Sequence, residues 1–323
     1  MKFLDLIKYT FIFCILVVLE SCAQQAKPTP VLVHGQLQVE GNKILDQHSN
    51  PVQLKGMSFF WSQYKGDFYN ASTVKTLVND WGCTIIRSAL GVNGDENGYL
   101  VNPEEEMQKV ITLIDAAIEE GIYIIVDWHD HHAHLHTSEA KDFFGTIASR
   151  YGDYPNIIYE PYNEPLRNTS WSEEIKPYHE AIIDTIRSHD PNNIIVCGTR
   201  SWSQDVDEVA LDPIKGENIA YTLHYYAATH KGSLRKKAEF ALDNGIDLMV
   251  TEFGLTKANG DDTVDIAESE IWWNFLDEHE ISWCNWSVAD KDEKSAALRP
   301  GARTKGDWQE KDLTTSGKAV RSA

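Results

Sequence analysis

The 323-residue chain carries a formal charge of -20, with 24% charged and 42% hydrophobic residues. That balance suits a folded protein with a large core and argues against a nucleic-acid partner, whose phosphates it would repel. Ten Trp and thirteen Tyr are many for this length and point to an uncharged small molecule or polysaccharide.

The first residues, MKFLDLIKYTFIFCILVVLESCAQQ, set Lys2 and Lys8 ahead of an apolar run from Phe11 to Leu19. The run is short for a membrane span and right for a signal-peptide core, so residues 1–21 are read as a leader. Leu19-Glu20-Ser21-Cys22 resembles a bacterial lipobox, which would place a lipid on Cys22 and tether the mature chain to a bacterial membrane. Ordinary secretion after cleavage near Ala23 is the alternative. Residues 22–33 read as a Pro-containing spacer and 34–323 as one domain. Cys83, Cys197 and Cys284 follow no Cys-x-x-Cys spacing and read as small buried apolar residues.

Gly35 to Gln53 reads as a hairpin with Gly41-Asn42 at the turn and Leu37, Val39, Ile44 and Leu45 as apolar positions, suited to plug one end of the domain. Eight apolar runs then recur: QLKGMSFF (53–60), CTIIRSA (83–89), IYIIVDW (122–128), NIIYE (156–160), NIIVCG (193–198), NIAYTLH (218–224), DLMV (247–250) and ISWCNW (281–286). Helical patterns separate them. In NPEEEMQKVITLIDAAIEEG, Asn102 caps and Pro103 takes the first turn, while Met107, Val110, Ile111, Ile114 and Ile118 form one stripe before Gly121 stops the helix. SWSEEIKPYHEAIIDTIRSH opens with the capping box Ser170-x-x-Glu173 and is bent early by Pro177. Eight alternations predict an α/β fold, a (β/α)8 TIM barrel behind a short N-terminal β-hairpin. An open doubly wound sheet is the runner-up, but FFWSQYKG after the first strand is not that fold's Gly-rich phosphate turn.

Chemistry in such a barrel sits where the strands finish. Strand two ends at Arg87, strand three at Asp127, Trp128 and His129, strand four at Asn163 and Glu164, strand six at His224 with Tyr226 beyond, strand seven at Glu252 and strand eight at Trp286. Two carboxylates thus face each other across the mouth, with Asp127 and Glu160 read as structural neighbours. Asn163-Glu164-Pro165, followed by His224-x-Tyr226, Thr251-Glu252-Phe253-Gly254 and Trp286, resembles glycoside hydrolase family 5, specifically its bacterial endo-β-1,4-glucanases or cellulases. GMSFFWSQYKGDFYNASTV, LVNDWGCTIIRSALGV, DWHDHHAH, GTRSWSQDVD, LHYYAATHKG and NWSVADKDEKSAALRPGA are similar to family segments in family order, from about Gly35 to the C-terminus. Pro161 and Tyr162 depart from the family's apolar residues before the Asn-Glu pair, and Tyr64 stands where members usually carry Trp.

The resemblance implies hydrolysis of internal β-1,4-glucosidic bonds with retention, by double displacement and without a cofactor. It makes Glu164 the acid/base and Glu252 the nucleophile, two carboxyls that retention sets roughly 5 to 5.5 Å apart. Glu252 has to be ionised, helped by Arg87 and Tyr226, and Glu164 protonated at the start. His224 orients that machinery, His129 lines the cleavage subsite and Asn163 holds the sugar 2-hydroxyl. Trp286, Trp202, Trp61 and Tyr64 are the platforms for glucose rings, and Lys291 and Glu293 match positions that bind a more distant sugar. The implied partner is a β-glucan polysaccharide or oligosaccharide, soluble or amorphous, met outside the cell. A β-mannanase or mixed-linkage glucanase on the same scaffold, and a surface lipoprotein that captures glycans without cutting them, are the rivals.

IIVDWHDHHAHLH holds five of the twelve histidines, and His129-x-His131 and His132-x-His134 have the spacing that barrel metallohydrolases use. A metal centre there requires further ligands from other strand ends. Arg87, Asn163 and Trp286 stand at those positions instead, so no metal is expected and the later histidines are read as loop residues near the cleft.

Overall fold

The computed structural model describes residues 28–94 and 97–323. The leader, Cys22 and the first part of the spacer lie outside the described residues. The end of the expected spacer carries a short helix, Pro30–His34, capped by Thr29 and tied to the body by Val31 N–H donating to Gly121 C=O at 3.0 Å.

The hairpin pairs β1 (Gln38–Glu40) with β2 (Lys43–Leu45), and Gly41 turns it with a φ of 62°. Eight parallel strands come next: β3 (Lys55–Phe59), β4 (Ile85–Gly91), β5 (Tyr123–His129), β6 (Ile157–Glu160), β7 (Ile195–Cys197), β8 (Ile219–Tyr226), β9 (Leu248–Gly254) and β10 (Trp283–Val288). Each pairs with its neighbour in sequence and β10 closes on β3, giving the expected barrel. Every one of the eight apolar runs is a strand, although the second, third, sixth, seventh and eighth extend past the ends of their apolar stretches.

The period-two alternation along each strand decides what occupies the barrel interior. Ile85, Tyr123, Ile125, Ile158, Val196, Ala220, Met249 and Cys284 form one buried cluster with Leu37 and Ile44 of the hairpin, so the hairpin seals the N-terminal end as expected. Intervening residues such as Ile86, Ile124, Val126, Trp128 and Tyr159 pack outward under the helices. Two positions beyond the interior apolar residues, the same face carries Arg87, Asp127 and Glu160, all fully buried. The interior therefore changes from apolar to charged towards the C-terminal mouth. Cys83, Cys197 and Cys284 are free and buried.

The helix Pro103–Glu120 starts and stops where expected, with Pro103 in its first turn and Gly121 at φ 66° closing it. Asn102 occupies the cap position, but its amide donates to Asn97 C=O at 3.3 Å instead of capping. Val110, Ile111 and Ile114 are buried, with Met107 and Ile118 at the edge of the stripe. Glu106 turns inward, takes the Ser62 hydroxyl and pairs with Lys109 at 2.5 Å. Ser62 also accepts from Gly91 N–H at 2.9 Å, which fastens the segment after β3 to β4. At Ser170 the expected box forms by half: Ser170 Oγ accepts from Glu173 N–H, while Ser170 N–H donates to the Glu174 carboxylate at 2.7 Å. A π-helical turn over Trp171–Ile175 precedes the α-helix Lys176–Arg187, because Pro177 has no N–H to continue the ladder.

Candidate active site

Arg87 is the hub of the charged layer. Its Nε and Nη2 donate to the two oxygens of Glu160 at 2.7 and 3.1 Å, and Nη1 donates to Glu252 Oε2 at 3.2 Å and Ser58 Oγ at 3.3 Å. Nη2 also lies 2.9 Å from Asp127 Oδ2 and donates to Asn163 Oδ1 at 2.6 Å. A guanidinium only donates, so the Asn163 oxygen is the end it holds and the amide NH2 points elsewhere. Asn163 Nδ2 is buried and has no protein partner.

Glu252 is buried, and beyond Arg87 it accepts from the Tyr226 hydroxyl at 2.8 Å. Gly254 permits this approach: a Cβ there would lie 2.5 Å from the Tyr226 ring. Glu164 stands in the loop after β6, four residues past the strand's last residue, Glu160, so the strand-four end expected at Asn163 and Glu164 falls earlier. The chain breaks from the sheet at Pro161, which lacks a ladder donor. Glu164 Oε1 lies 2.9 Å from His224 Nδ1, and atoms of Glu164, His224 and Glu252 fall within 4.8 Å of one another.

The two carboxyls differ in their surroundings. Burial pushes Glu164 up to about 7, against a smaller pull from His131 and Arg87. Burial also raises Glu252, and Glu164 adds to the rise, while His224, Arg87 and the Tyr226 hydroxyl pull it back. Burial lowers His224 to about 4 and holds His129 well below the ordinary imidazole range, so both rings are neutral near neutrality. Asp127 is pushed up by burial more than Arg87 draws it down. One guanidinium faces three carboxylates, and this surplus of negative charge favours retention of a proton nearby.

The expected aromatic residues gather around this centre. Trp286 is nearly buried and stacks on His129 at 5.1 Å, with rings 6° from parallel. Trp61 meets His129 edge-on at 4.2 Å, and Tyr64, 47% exposed, stands 6.1 Å from Trp61. Trp202, 40% exposed, projects from a left-handed turn in which Ser201, Trp202 and Ser203 all have φ near 60°. That turn is bound to the loop that carries Glu164: Trp202 N–H donates to Pro165 C=O at 2.9 Å and Ser203 Oγ to Asn163 C=O at 2.8 Å. Lys291 and Glu293 pair with each other, with the Lys291 ammonium 5.1 Å from the Phe60 ring. A cavity of about 560 Å³ is lined by Glu164, Glu252, His224, Tyr226 and Trp202, and also by Gln204, His230 and Asn259, which sequence reasoning missed.

The histidine run splits among different partners. His129 Nδ1 lies 2.7 Å from Asp127, His131 Nδ1 donates to Glu164 C=O at 3.2 Å, and His136 Nδ1 lies 2.7 Å from Asp130. Tyr162, one of the departures from the family pattern, accepts from His134 Nδ1 and donates to His131 C=O, both at 2.9 Å. The run therefore braces the loop that carries Glu164. Among the described residues, the one cluster near enough for a cation is Glu164, His224 and Glu252, and Arg87 already holds Glu252 there. This donor set suits proton transfer.

Because Glu164 is raised to about 7 from an unfolded value near 4.5, the folded state binds its proton more tightly. The associated stability is fully present below about 4.5 and is lost as pH rises through 7. At about 1.4 kcal/mol per pH unit, the loss is at most about 3 kcal/mol. Glu164→Gln cannot titrate, so urea unfolding at pH 5 and pH 8 should show the parent losing ground to the variant at pH 8. A difference that stays flat with pH contradicts the assignment.

A family model described as cellulase (glycosyl hydrolase family 5) matches residues 45–292. An endoglucanase of Clostridium saccharobutylicum is 42% identical over 100% of this chain and 73% of its own length. Endoglucanase Z of Dickeya dadantii is 47% identical over 88% of this chain and 65% of its own, and an endoglucanase A of Evansella cellulosilytica is covered over 56%. The chain thus spans between about half and three quarters of these relatives. A solved structure from Cytophaga hutchinsonii superposes with a TM-score of 0.90 at 50% identity, covering 91% of this chain and 96% of that one. The catalytic domain of a Thermobifida fusca endoglucanase in complex with cellotetraose gives 0.87 at 35% identity, covering 91% and 99%. With its barrel, its facing carboxyls and these matches, the chain belongs to glycosyl hydrolase family 5.

Proposed function

We propose that the protein is a retaining endo-β-1,4-glucanase acting on cellulose-like β-glucans by double displacement. The observation that carries this reading is the pair Glu164 and Glu252, with atoms within 4.8 Å and unlike surroundings. Retaining enzymes set their carboxyls about 5 to 5.5 Å apart, whereas inverting ones leave about 6.5 to 9.5 Å for a water. The relatives' names, and the cellotetraose in the Thermobifida fusca complex, support a β-1,4-glucan.

Glu252, aligned by Arg87 and Tyr226, attacks the anomeric carbon while Glu164 gives its proton to the leaving oxygen. Glu164, now a carboxylate, takes a proton from the water that releases the sugar from Glu252. Asn163 Nδ2, left free because Arg87 holds the amide oxygen, donates to the sugar 2-hydroxyl. His129 and Trp286 form one stacked wall of the cleavage subsite. Trp61, Tyr64 and Trp202 offer flat apolar faces to neighbouring rings, and Lys291 with Glu293 lies beyond Phe60 for a further sugar.

Reducing-sugar release should be greatest on carboxymethylcellulose compared with mannan and mixed-linkage glucan, and activity on mannan alone overturns the substrate. Glu252→Gln should abolish turnover, and Glu164→Gln should lower kcat/KM on glucan by about 10²- to 10⁴-fold. Both should keep oligosaccharide binding in calorimetry. Binding by the parent without products would instead mark a glycan-capture protein.

The lipobox-like Leu19-Glu20-Ser21-Cys22 supports export and a lipid on Cys22 that holds the enzyme at a bacterial surface, where polymeric substrate is met. Cys22→Ala should move the protein from the membrane fraction to the soluble one. Unchanged partition between the fractions counts against the anchor.

A further inference from the structure

Behind the acid lies a chain of buried hydrogen bonds. His224 presents Nδ1 to Glu164 Oε1 at 2.9 Å and Nε2 to Thr251 Oγ1 at 2.8 Å. Thr251, fully buried, donates its hydroxyl to Glu160 Oε1 at 2.8 Å and also meets the Thr222 hydroxyl. Glu160 is held through both oxygens by Arg87. Two strand pairings show how Thr251 comes to stand there. Thr222 pairs with Met249 but His224 with Glu252, and Trp283 pairs with Val250 but Asn285 with Phe253. In both, β9 holds one residue more than its neighbour, a bulge that turns both Thr251 and Glu252 towards the site.

The proton directions in this chain are determined. A carboxylate in a two-pronged pair with a guanidinium can only accept, so the single Thr251 proton goes to Glu160. Towards His224 the Thr251 oxygen is then an acceptor, and Nε2 carries the imidazole proton. With the ring kept neutral by burial, Nδ1 is left as a bare lone pair facing Glu164.

We infer that Thr251 is a positioning residue for the acid step: it fixes His224 in the Nε2–H tautomer, whose Nδ1 lone pair holds Glu164 in its protonated form. The same lone pair, facing the carboxylate once the proton has gone to the leaving oxygen, favours its return from the incoming water. The other titratable or charged groups that face or act on Glu164 and His224 are Arg87, Asp127, His129, His131, Glu160, Arg167 and Glu252, with Tyr226 and His230 beside them. Among the described residues, only Thr251 bridges His224 to Glu160 through a hydroxyl.

The inference rests on Glu164 being the acid, and the test separates the two. In the full chain, Thr251→Val leaves Nε2–H without an acceptor and releases the Nδ1–H tautomer, which stabilises ionised Glu164. The alkaline limb of kcat/KM on cello-oligosaccharides should move down by about one pH unit. Thr251→Ser, which keeps the hydroxyl, should restore it. A dinitrophenyl cellobioside, whose leaving group needs no proton, should show an unchanged first step in Thr251→Val. A limb that coincides with the parent's, with only a lower plateau, overturns the inference. If Thr251→Val does not fold, 15N imidazole shifts of the parent decide: protonated Nε2 and bare Nδ1 on His224 support it, and an Nδ1–H ring refutes it. Should Glu164→Gln keep the parent's alkaline limb, the acid reading fails, while the imidazole spectrum still judges the tautomer.

Discussion

The buried guanidinium of Arg87 is the constraint on which the site depends. A lone charge at the centre of a barrel is costly to bury, and it is tolerated here because Asp127, Glu160 and Glu252 surround it. Each of its contacts also decides something else. Holding Glu252 aims one oxygen and leaves the other to Tyr226, and holding the Asn163 oxygen leaves the amide NH2 without a protein partner. Holding Glu160 orders Thr251 and, through it, His224 and Glu164. The bidentate fork is essential to this, since a lysine would supply the charge without the fixed directions.

Around that hub the molecule divides its labour by height in the barrel. The lower interior is an apolar plug completed by the hairpin, and the upper interior is a buried polar cage around Arg87. The wall above it is aromatic and histidine-rich. His129 stacks with Trp286 while its Nδ1 is tied to Asp127, and His131 and His134 join Tyr162 beside the loop that carries Glu164. The run that looks most like a metal centre in the sequence instead packs against the loop that carries Glu164 and against Trp286.

The barrel and the centre of its mouth are legible in the amino-acid sequence. Strand parity puts Arg87 on the same face as Ile85, and Asp127 on the same face as Ile125, so a charged interior is a consequence of alternation alone. The motifs around Asn163, Glu164, His224 and Glu252 mark the centre, and the structure brings those residues together. Less legible is whatever departs from regular geometry. The β9 bulge has no sequence signature in Met249-Val250-Thr251-Glu252, so Thr251 reads as an ordinary strand residue although it sits between His224 and Glu160. The left-handed turn at Ser201 to Ser203 contains no glycine to announce it, and tertiary bonds to Asn163 and Pro165 hold it. Asn102 and Ser170 follow cap patterns that form otherwise or by half: the Asn102 amide donates to Asn97 C=O in the preceding loop, and Glu174, not Glu173, accepts from Ser170 N–H.

The central claim is that the Arg87 cage presents Glu252, and no other carboxyl, to the anomeric carbon. Incubation with an activated 2-deoxy-2-fluoro-cellobioside, followed by peptide mass mapping, tests it directly, because the fluorine slows release of the covalent intermediate. The account predicts one added cellobiosyl group, carried by the peptide that contains Glu252. A label on the Glu164 peptide, or turnover with inverted product and no adduct, would contradict it.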